Sequence, residues 1–169
     1  MELKLITYPN PILKKSTIPV TEFGSVWDPI IDQMIKIMIE KKGYGLAANQ
    51  VGLGMNLFIM YPDKGLPPKA YFNCKITKLF GEPIKMQEGC LSLPGVGHEI
   101  LRYNQVEIDY DDKDGNQIKE MLPEGVPSQC AQHEIQHLQG MLYVDNLNMI
   151  KKGRVLKQYS RINFGKSKC

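Results

Sequence analysis

The segment His133–His137 reads His-Glu-Ile-Gln-His, and it constrains this chain more than any other feature. Residues four apart on an α-helix lie on one face, about one turn along. His133 and His137 can therefore direct both imidazole rings at one metal ion. Glu134 can reach a water molecule on that metal as a general base. The spacing predicts a metal-binding helix with a proton acceptor beside the metal. The alternative is a surface helix with two solvated histidines.

Sequence signals at both ends favour a helix around this motif. The stretch Val126-Pro127-Ser128 suits a helix beginning, because proline is favoured in the first turn. Gly140 supplies a stop shortly after Leu138. The chain has only three histidines, and two of them lie in the motif.

A catalytic metal usually has three protein ligands plus water, so a third ligand must come from elsewhere in the chain. One class of zinc protease uses a histidine six residues after the second, but that position is Tyr143, and no glutamate follows Glu134. Cys130 lies roughly one helical turn before His133, so it can be near the site without being a ligand. Spacing alone does not choose among Cys74, Cys90, Cys130, His98 and Asp145.

Three blocks of sequence, in one order along the chain, resemble the peptide deformylase family. They are GYGLAANQ at 43–50, EGCLS at 88–92 and QHEIQHLQG at 132–140. The opening YPNPIL at 8–13 also resembles the start of the family, and the match runs to about Leu147. The resemblance implies an α+β fold in which antiparallel sheets wrap around a central helix carrying the H-E-x-x-H motif.

The resemblance implies a metal-dependent hydrolase that removes the N-terminal formyl group from the formylmethionine of nascent polypeptides. It makes Cys90, His133 and His137 the ligands of one divalent metal ion. Fe(II) is the native metal that it implies, while Zn, Ni and Co also suit such a site. The competing hypothesis is a zinc endopeptidase of the H-E-x-x-H type, which usually takes its third ligand downstream.

Three further residues receive catalytic roles from the resemblance. Glu134 would take the proton of the attacking water and deliver it to the departing amine. Gln50, through its side-chain amide, and Leu91, through its backbone N–H, would donate to the developing oxyanion. The segment at Gly45 would pair with the substrate backbone as an added strand.

The substrate pocket implied by the resemblance should be apolar, because the first side chain of the substrate is methionine. Its matching positions are Tyr44, Met86, Val126, Gln129 and Cys130. Glu88 should form an ion pair with Arg102, and both are candidates for substrate binding.

Three positions depart from the family pattern. Gln129 replaces a usual aliphatic residue, Gln136 replaces an acid between the two histidines, and Asn73-Cys74 replaces Asn-Pro.

Composition excludes several classes of protein. We expect one domain over residues 1–169, with the 43% hydrophobic and 23% charged content of an ordinary globular protein. A net charge of +3 is too small to argue for nucleic acid binding. Four cysteines without C-x-x-C pairs favour a reducing compartment. No signal peptide or membrane-spanning run is present, so we expect a cytoplasmic monomer with no membrane partner.

Hydrophobic patterns predict a mixed α and β structure. Asp28-Pro29 reads as the N-cap and first position of a helix that runs to Ile39 or Lys41. Strands are expected over 56–61 and 71–80. Alternating residues around Asp114-Gly115 predict a hairpin of two strands at 105–110 and 116–121.

The C-terminal segment 151–169 is basic and contains no acid. Its charges are Lys151, Lys152, Arg154, Lys157, Arg161, Lys166 and Lys168. It reads either as a solvated helix with a frayed tail or as a contact to ribosomal RNA, since basic patches bind phosphate.

Overall fold

A five-stranded antiparallel sheet forms the frame of the protein, and its strands follow one another in chain order. The computed structural model describes residues 2–165. The strands are β1 (Gly45–Ala47), β2 (Leu57–Met60), β3 (Lys69–Cys90), β4 (Leu93–Asp111) and β5 (Gln117–Met121). The α-helices are α1 (Asp28–Glu40), α2 (Val126–Leu138) and α3 (Met149–Phe164).

The central helix is α2, which carries the two motif histidines. Its Ala131, Ile135 and Leu138 share one buried cluster with Phe58 of β2 and Val106 of β4. Ten of its thirteen residues are buried, because the sheet surrounds it on more than one side. This arrangement confirms the predicted α+β class with antiparallel strands around a central helix.

Helix α1 covers the opposite face of the first strands. Its fully buried Met34 and Met38 belong to a second cluster with Leu46 and Ile59. Neighbouring strand residues such as Ala47 point into the α2 cluster instead, as the two-residue alternation of a strand requires. The helix begins one residue earlier than predicted, because a 3-10 turn over Ser25–Trp27 runs directly into it and makes Asp28 the first helical residue.

A long hairpin of β3 and β4 brings distant residues towards α2. The strands have 22 and 19 residues, and their pairing shifts register at four places. The sequence predicted only 71–80 of β3, and the next residues include Gly81 and Pro83, two residue types that are disfavoured inside strands. Pro83 instead lies at a register shift, where its missing N–H is tolerated. The strand therefore continues to Cys90.

The predicted hairpin around Asp114-Gly115 is confirmed as the β4–β5 connection. Asn73 has a left-handed backbone conformation (φ 51°), and its side chain accepts from Val20 N and donates to Val20 O. The residue that departs from the family pattern is Cys74, which is buried, whereas Asn73 is the turn-forming residue that ties β3 to the N-terminal segment.

Helix α3 packs against the sheet through one face. Its Val155 and Tyr159 are buried with Leu93 and Val96, and the Tyr159 hydroxyl donates to the Tyr8 carbonyl at 2.7 Å. Its basic side chains project largely outward. Two charges of the basic segment, Lys166 and Lys168, lie outside the described residues. Among the described residues, no helix has the length and apolar character needed to cross a membrane.

Candidate active site

Three potential metal ligands from two elements meet beneath a cavity. Their ligand atoms all lie within 4.8 Å of one another. His137 Nε2 is 3.2 Å from His133 Nε2 and 3.2 Å from Cys90 Sγ. Nitrogen ligands around a tetrahedral metal with ~2.0–2.1 Å bonds are about 3.3 Å apart. The donor set and its spacing therefore fit one metal ion.

The electrostatics of this group favour a positive charge between the two rings. Burial lowers the pKa of His133, but hydrogen bonds and charge from Cys90 and Glu88 outweigh it and raise the pKa. Burial and the neighbouring His133 lower the pKa of His137. The negative surroundings of His133 thus favour a positive charge at this ring. A metal needs both rings neutral, so a bound cation would take the place of the proton on His133.

The outer nitrogen of His133 is held by a buried ion pair. Glu88 Oε2 lies 3.0 Å from His133 Nδ1, and Arg102 donates to both Glu88 oxygens at 2.7 and 3.0 Å. Burial alone would raise the pKa of Glu88, but the bonds from His133 and Arg102 lower it to about 2. Glu88 therefore stays ionised and turns Nε2 of His133 towards the site.

The other candidate ligands lie elsewhere. Cys74 belongs to the α2 cluster, and Asp145 is bound by Lys14 and Lys152. The Nδ1 atom of His98 lies 2.9 Å from the Glu99 carbonyl oxygen. The sequence left these positions open; none of them joins the group of ligand atoms found in residues 2–165.

Glu134 is buried beside the group, and its Oε2 has no hydrogen-bond partner among residues 2–165. Desolvation raises the pKa of this carboxyl group to about 7. Gly45 makes room for it: a Cβ at that position would lie 2.7 Å from Glu134 Oε1 and 2.5 Å from Cys130 Sγ. The glycine therefore lets β1 pass directly over an acid that can exchange a proton near neutral pH.

Gln50 is oriented by its own neighbours. Ala47 N–H donates to Gln50 Oε1 at 2.9 Å, so the amide nitrogen must face the site. That nitrogen donates to Ser92 Oγ at 3.0 Å and lies 3.5 Å from Cys90 Sγ. Ser92 in turn donates to Ile6 O at 2.7 Å. The sequence did not predict that Ser92 accepts the hydrogen bond of the Gln50 amide, although Ser92 is the last residue of the EGCLS block.

Comparison with known proteins shows the family of the chain. The family model described as polypeptide deformylase matches residues 2–153. The chain belongs to the polypeptide deformylase family. A peptide deformylase from Hahella chejuensis is 36% identical over 162 residues, which cover 95% of both chains. A protein named peptide deformylase-like from Brucella melitensis is 32% identical over 94% of this chain and 96% of its own.

Solved deformylase structures share the fold. A peptide deformylase from Legionella pneumophila superposes with a TM-score of 0.89 at 28% identity, over 100% of this chain and 99% of its own. A peptide deformylase from Synechococcus elongatus, solved in complex with actinonin, has a TM-score of 0.86 at 33% identity and covers 94% and 86% of the two chains.

The deformylase cavity of this chain has a volume of about 680 Å³. The pocket positions Tyr44, Val126, Gln129 and Cys130 all line it, as do Leu91 and Gly45. Gln129 does not point freely into solvent, because its amide donates to Gln87 O at 2.9 Å. It therefore closes one side of the cavity against β3.

Two predicted substrate-binding residues of this deformylase do not line the cavity. Met86 pairs with Ile100 two residues before Glu88 on β3, and Arg102 is buried behind the Glu88 carboxylate. Arg102 contacts the site through Glu88. The departure at Gln136 is also remote, since its amide exchanges two hydrogen bonds with Asn146 at 3.0 Å.

Proposed function

We propose that this chain hydrolyses the formyl group of N-formylmethionyl peptides with one divalent metal bound by Cys90, His133 and His137. One observation supports the proposal most: these ligand atoms lie beside the oriented amide of Gln50 and a carboxylate oxygen of Glu134 that no described residue hydrogen-bonds. All five side chains border one cavity or lie directly beneath it. Such a constellation supplies a metal, a base and an oxyanion donor within one site.

A bound metal would supply a water of lowered pKa and a Lewis acid for the formyl oxygen. Glu134 takes a proton from the attacking water and returns it to the departing amine, which needs a pKa close to neutral. Gln50 Nε2 and the backbone N–H of Leu91 donate to the oxygen on which negative charge develops. Gln50 is buried, and Leu91 lies in the short turn that joins β3 to β4, so both donors are held by their surroundings and little reorganisation accompanies the reaction.

The methionine side chain of the substrate occupies the part of the cavity lined by Tyr44, Val126, Gln129 and Cys130. These side chains offer a largely apolar wall that suits a thioether. The amide of Gln129 is already committed to Gln87 O, so it presents its methylene groups as well as a polar edge. Specificity for methionine therefore persists despite this departure from the family pattern.

A direct assay separates deformylation from the alternative. Formyl-Met-Ala-Ser, acetyl-Met-Ala-Ser and casein are offered to the same metal-loaded enzyme. Release of formate from the first peptide, without release of acetate from the second or cleavage of casein, supports the proposal. Cleavage of casein without formate release would instead support the zinc endopeptidase.

The native metal in this proposal is Fe(II). A thiolate with two imidazoles also accepts Zn, Ni or Co, so affinity does not select the metal. Oxygen attacks both ferrous iron and a ligating thiolate. Reconstitution of one apo-protein batch should give an iron form that loses activity in air and a nickel form that does not. Equal air stability of the two forms would contradict the iron assignment.

The partners follow from the substrate. Formylated chains emerge from ribosomes, so we place this enzyme in the cytoplasm, as a monomer of one catalytic domain. The exposed basic residues Lys151, Arg154, Lys157 and Arg161 of α3 are the proposed ribosome contact. Replacing these four with glutamine is the suitable test, because truncation would remove the buried Val155 and Tyr159. Salt-sensitive co-sedimentation with ribosomes should disappear in the variant, and its persistence would refute the contact.

A further inference from the structure

The mouth of the cavity carries two lysines that have no part in the chemistry described above. Lys41 and Lys42 follow α1 and line the cavity beside Gly43 and Tyr44. Both are exposed, and neither forms an ion pair with any described residue of the chain.

The acids of the same cavity do not neutralise these lysines. Glu88 and Glu134 are the acidic residues that line it, and both are buried. Glu88 already pairs with Arg102 and His133. The remaining solvent-facing wall of the cavity consists of uncharged residues. Exposed Glu40 and Asp63 lie nearby, and Asp63 acts on Tyr44, but neither lines the cavity. Among the residues that line it, the two lysines are therefore the exposed charges.

The backbone at Lys42 adds an independent observation. Lys42 has a φ of 58°, in the left-handed region where glycine is favoured. Its N–H donates to Ile39 O, and Gly43 N–H donates to Met38 O at 2.8 Å, which is the Schellman end of a helix. Glycine is the usual residue at this position. A lysine here costs stability, and such strain at the mouth of a site points to a function for the side chain.

The direction of the substrate places its later residues at these lysines. β1 lies at the edge of the sheet, so a peptide can pair with it. A peptide antiparallel to β1, with its formyl end near Gln50 and Cys90, runs back past Gly45 and Gly43 towards Lys42. Strand residues advance about 3.3 Å each. The side chains that reach the lysines therefore come after the first residues of the substrate, and we assign them to its third and fourth positions.

We propose that Lys41 and Lys42 select substrates with acidic side chains at the third and fourth positions after the formyl group. The selection rests on the deformylase function proposed above. Attraction between the exposed lysines and an acidic peptide acts mainly on substrate capture. It should therefore lower KM and so raise kcat/KM, and the effect should weaken with added salt.

The test compares three peptides that differ only in charge: formyl-Met-Ala-Glu-Glu, formyl-Met-Ala-Gln-Gln and formyl-Met-Ala-Lys-Lys. At low salt the wild-type enzyme should favour the acidic over the basic peptide by roughly three- to tenfold in kcat/KM, as expected for two exposed charge pairs. The ratio should approach one in Lys41→Gln/Lys42→Gln and invert in Lys41→Glu/Lys42→Glu. Lys36→Gln, an exposed lysine of α1 that does not line the cavity, is the matched control and should keep the wild-type ratio.

The outcomes separate this inference from the function on which it rests. A wild-type ratio near one, or a ratio that survives both double substitutions, would overturn the selection while leaving deformylation intact. A merely structural role at the end of α1 would change the melting temperature of the variants but not the ratio. Absence of formate release from all three peptides would refute the deformylase function itself.

Discussion

Glu88 Oε2 lies 3.0 Å from His133 Nδ1, and both residues are buried. The same carboxylate accepts two hydrogen bonds from Arg102. One ion pair thus links the fold of the β3–β4 hairpin to the orientation of a proposed metal ligand on α2. The pair can be tested for each role separately.

Glu88→Gln should lower metal affinity by about 10- to 100-fold, because the support of a ligating histidine is weakened. It should also lower the free energy of unfolding by about 3–5 kcal/mol, since Arg102 is left buried without a counter-charge. Metal affinity is measured by competition with a chelator, and stability by denaturant unfolding of the apo-protein.

A double variant distinguishes the two effects. Glu88→Met/Arg102→Met removes both charges, so it should regain much of the lost stability but none of the lost affinity. Full recovery of metal affinity in this double variant would show that Glu88 does not orient His133.

Gly45→Ala should reduce kcat by at least ~10²-fold, because the added methyl group must displace the general base. The new Cβ would lie 2.5 Å from Cys130 Sγ and 2.7 Å from Glu134 Oε1. Steady-state kinetics on a formylated peptide measure the effect. Gly54→Ala is the matched control, because a Cβ added there would meet no heavy atom within 4 Å and its φ is not in the left-handed region. Equal loss in both variants would refute the close approach of β1 to Glu134 as the cause.

Glu134→Gln should stabilise the apo-protein at pH 8 by about 3–4 kcal/mol and have little effect at pH 4. Desolvation raises the pKa of Glu134 to about 7, whereas an unfolded chain ionises this group near ~4.3. Folding therefore favours the protonated acid, and the native state loses stability as pH rises between these two values. Denaturant unfolding at both pH values measures the difference. Glu99→Gln, at an exposed position on β4, should show no such pH-dependent gain.

Gln50→Ala should lower kcat by about 10²- to 10³-fold with a smaller change in KM, because an oxyanion donor acts mainly in the transition state. Full kinetic curves on one peptide separate the two constants. A change confined to KM would assign Gln50 to substrate binding instead.

Sequence patterns predicted the helices and turns that depend on interactions between residues close together in the chain. The helix α1, the β4–β5 hairpin at Asp114-Gly115 and the helix with the two histidines all follow from periodicity and turn residues. The full length of β3 did not, because Gly81 and Pro83 normally end a strand. A register shift that absorbs Pro83 is created by pairing with β4, which a single segment does not reveal.

The residues of the candidate site also fall into those that local spacing predicts and those that depend on packing between distant segments. Spacing alone predicted that His133 and His137 share one helical face, with Glu134 beside the first of them. Cys90 could be chosen only through the family resemblance, since its approach to α2 depends on the long bent hairpin. The role of Ser92 and the position of Lys42 at the cavity mouth depend on packing between distant segments, so no local signal marked them.

The central claim is that Glu134 acts as the base in metal-assisted deformylation. The most direct test measures formate release from formyl-Met-Ala-Ser by wild-type protein and by Glu134→Gln at equal metal content. We expect rapid release by the wild type and a loss of at least ~10²-fold in kcat for the variant, with the metal retained. Near wild-type turnover by the metal-loaded variant would contradict Glu134 as the base at this site.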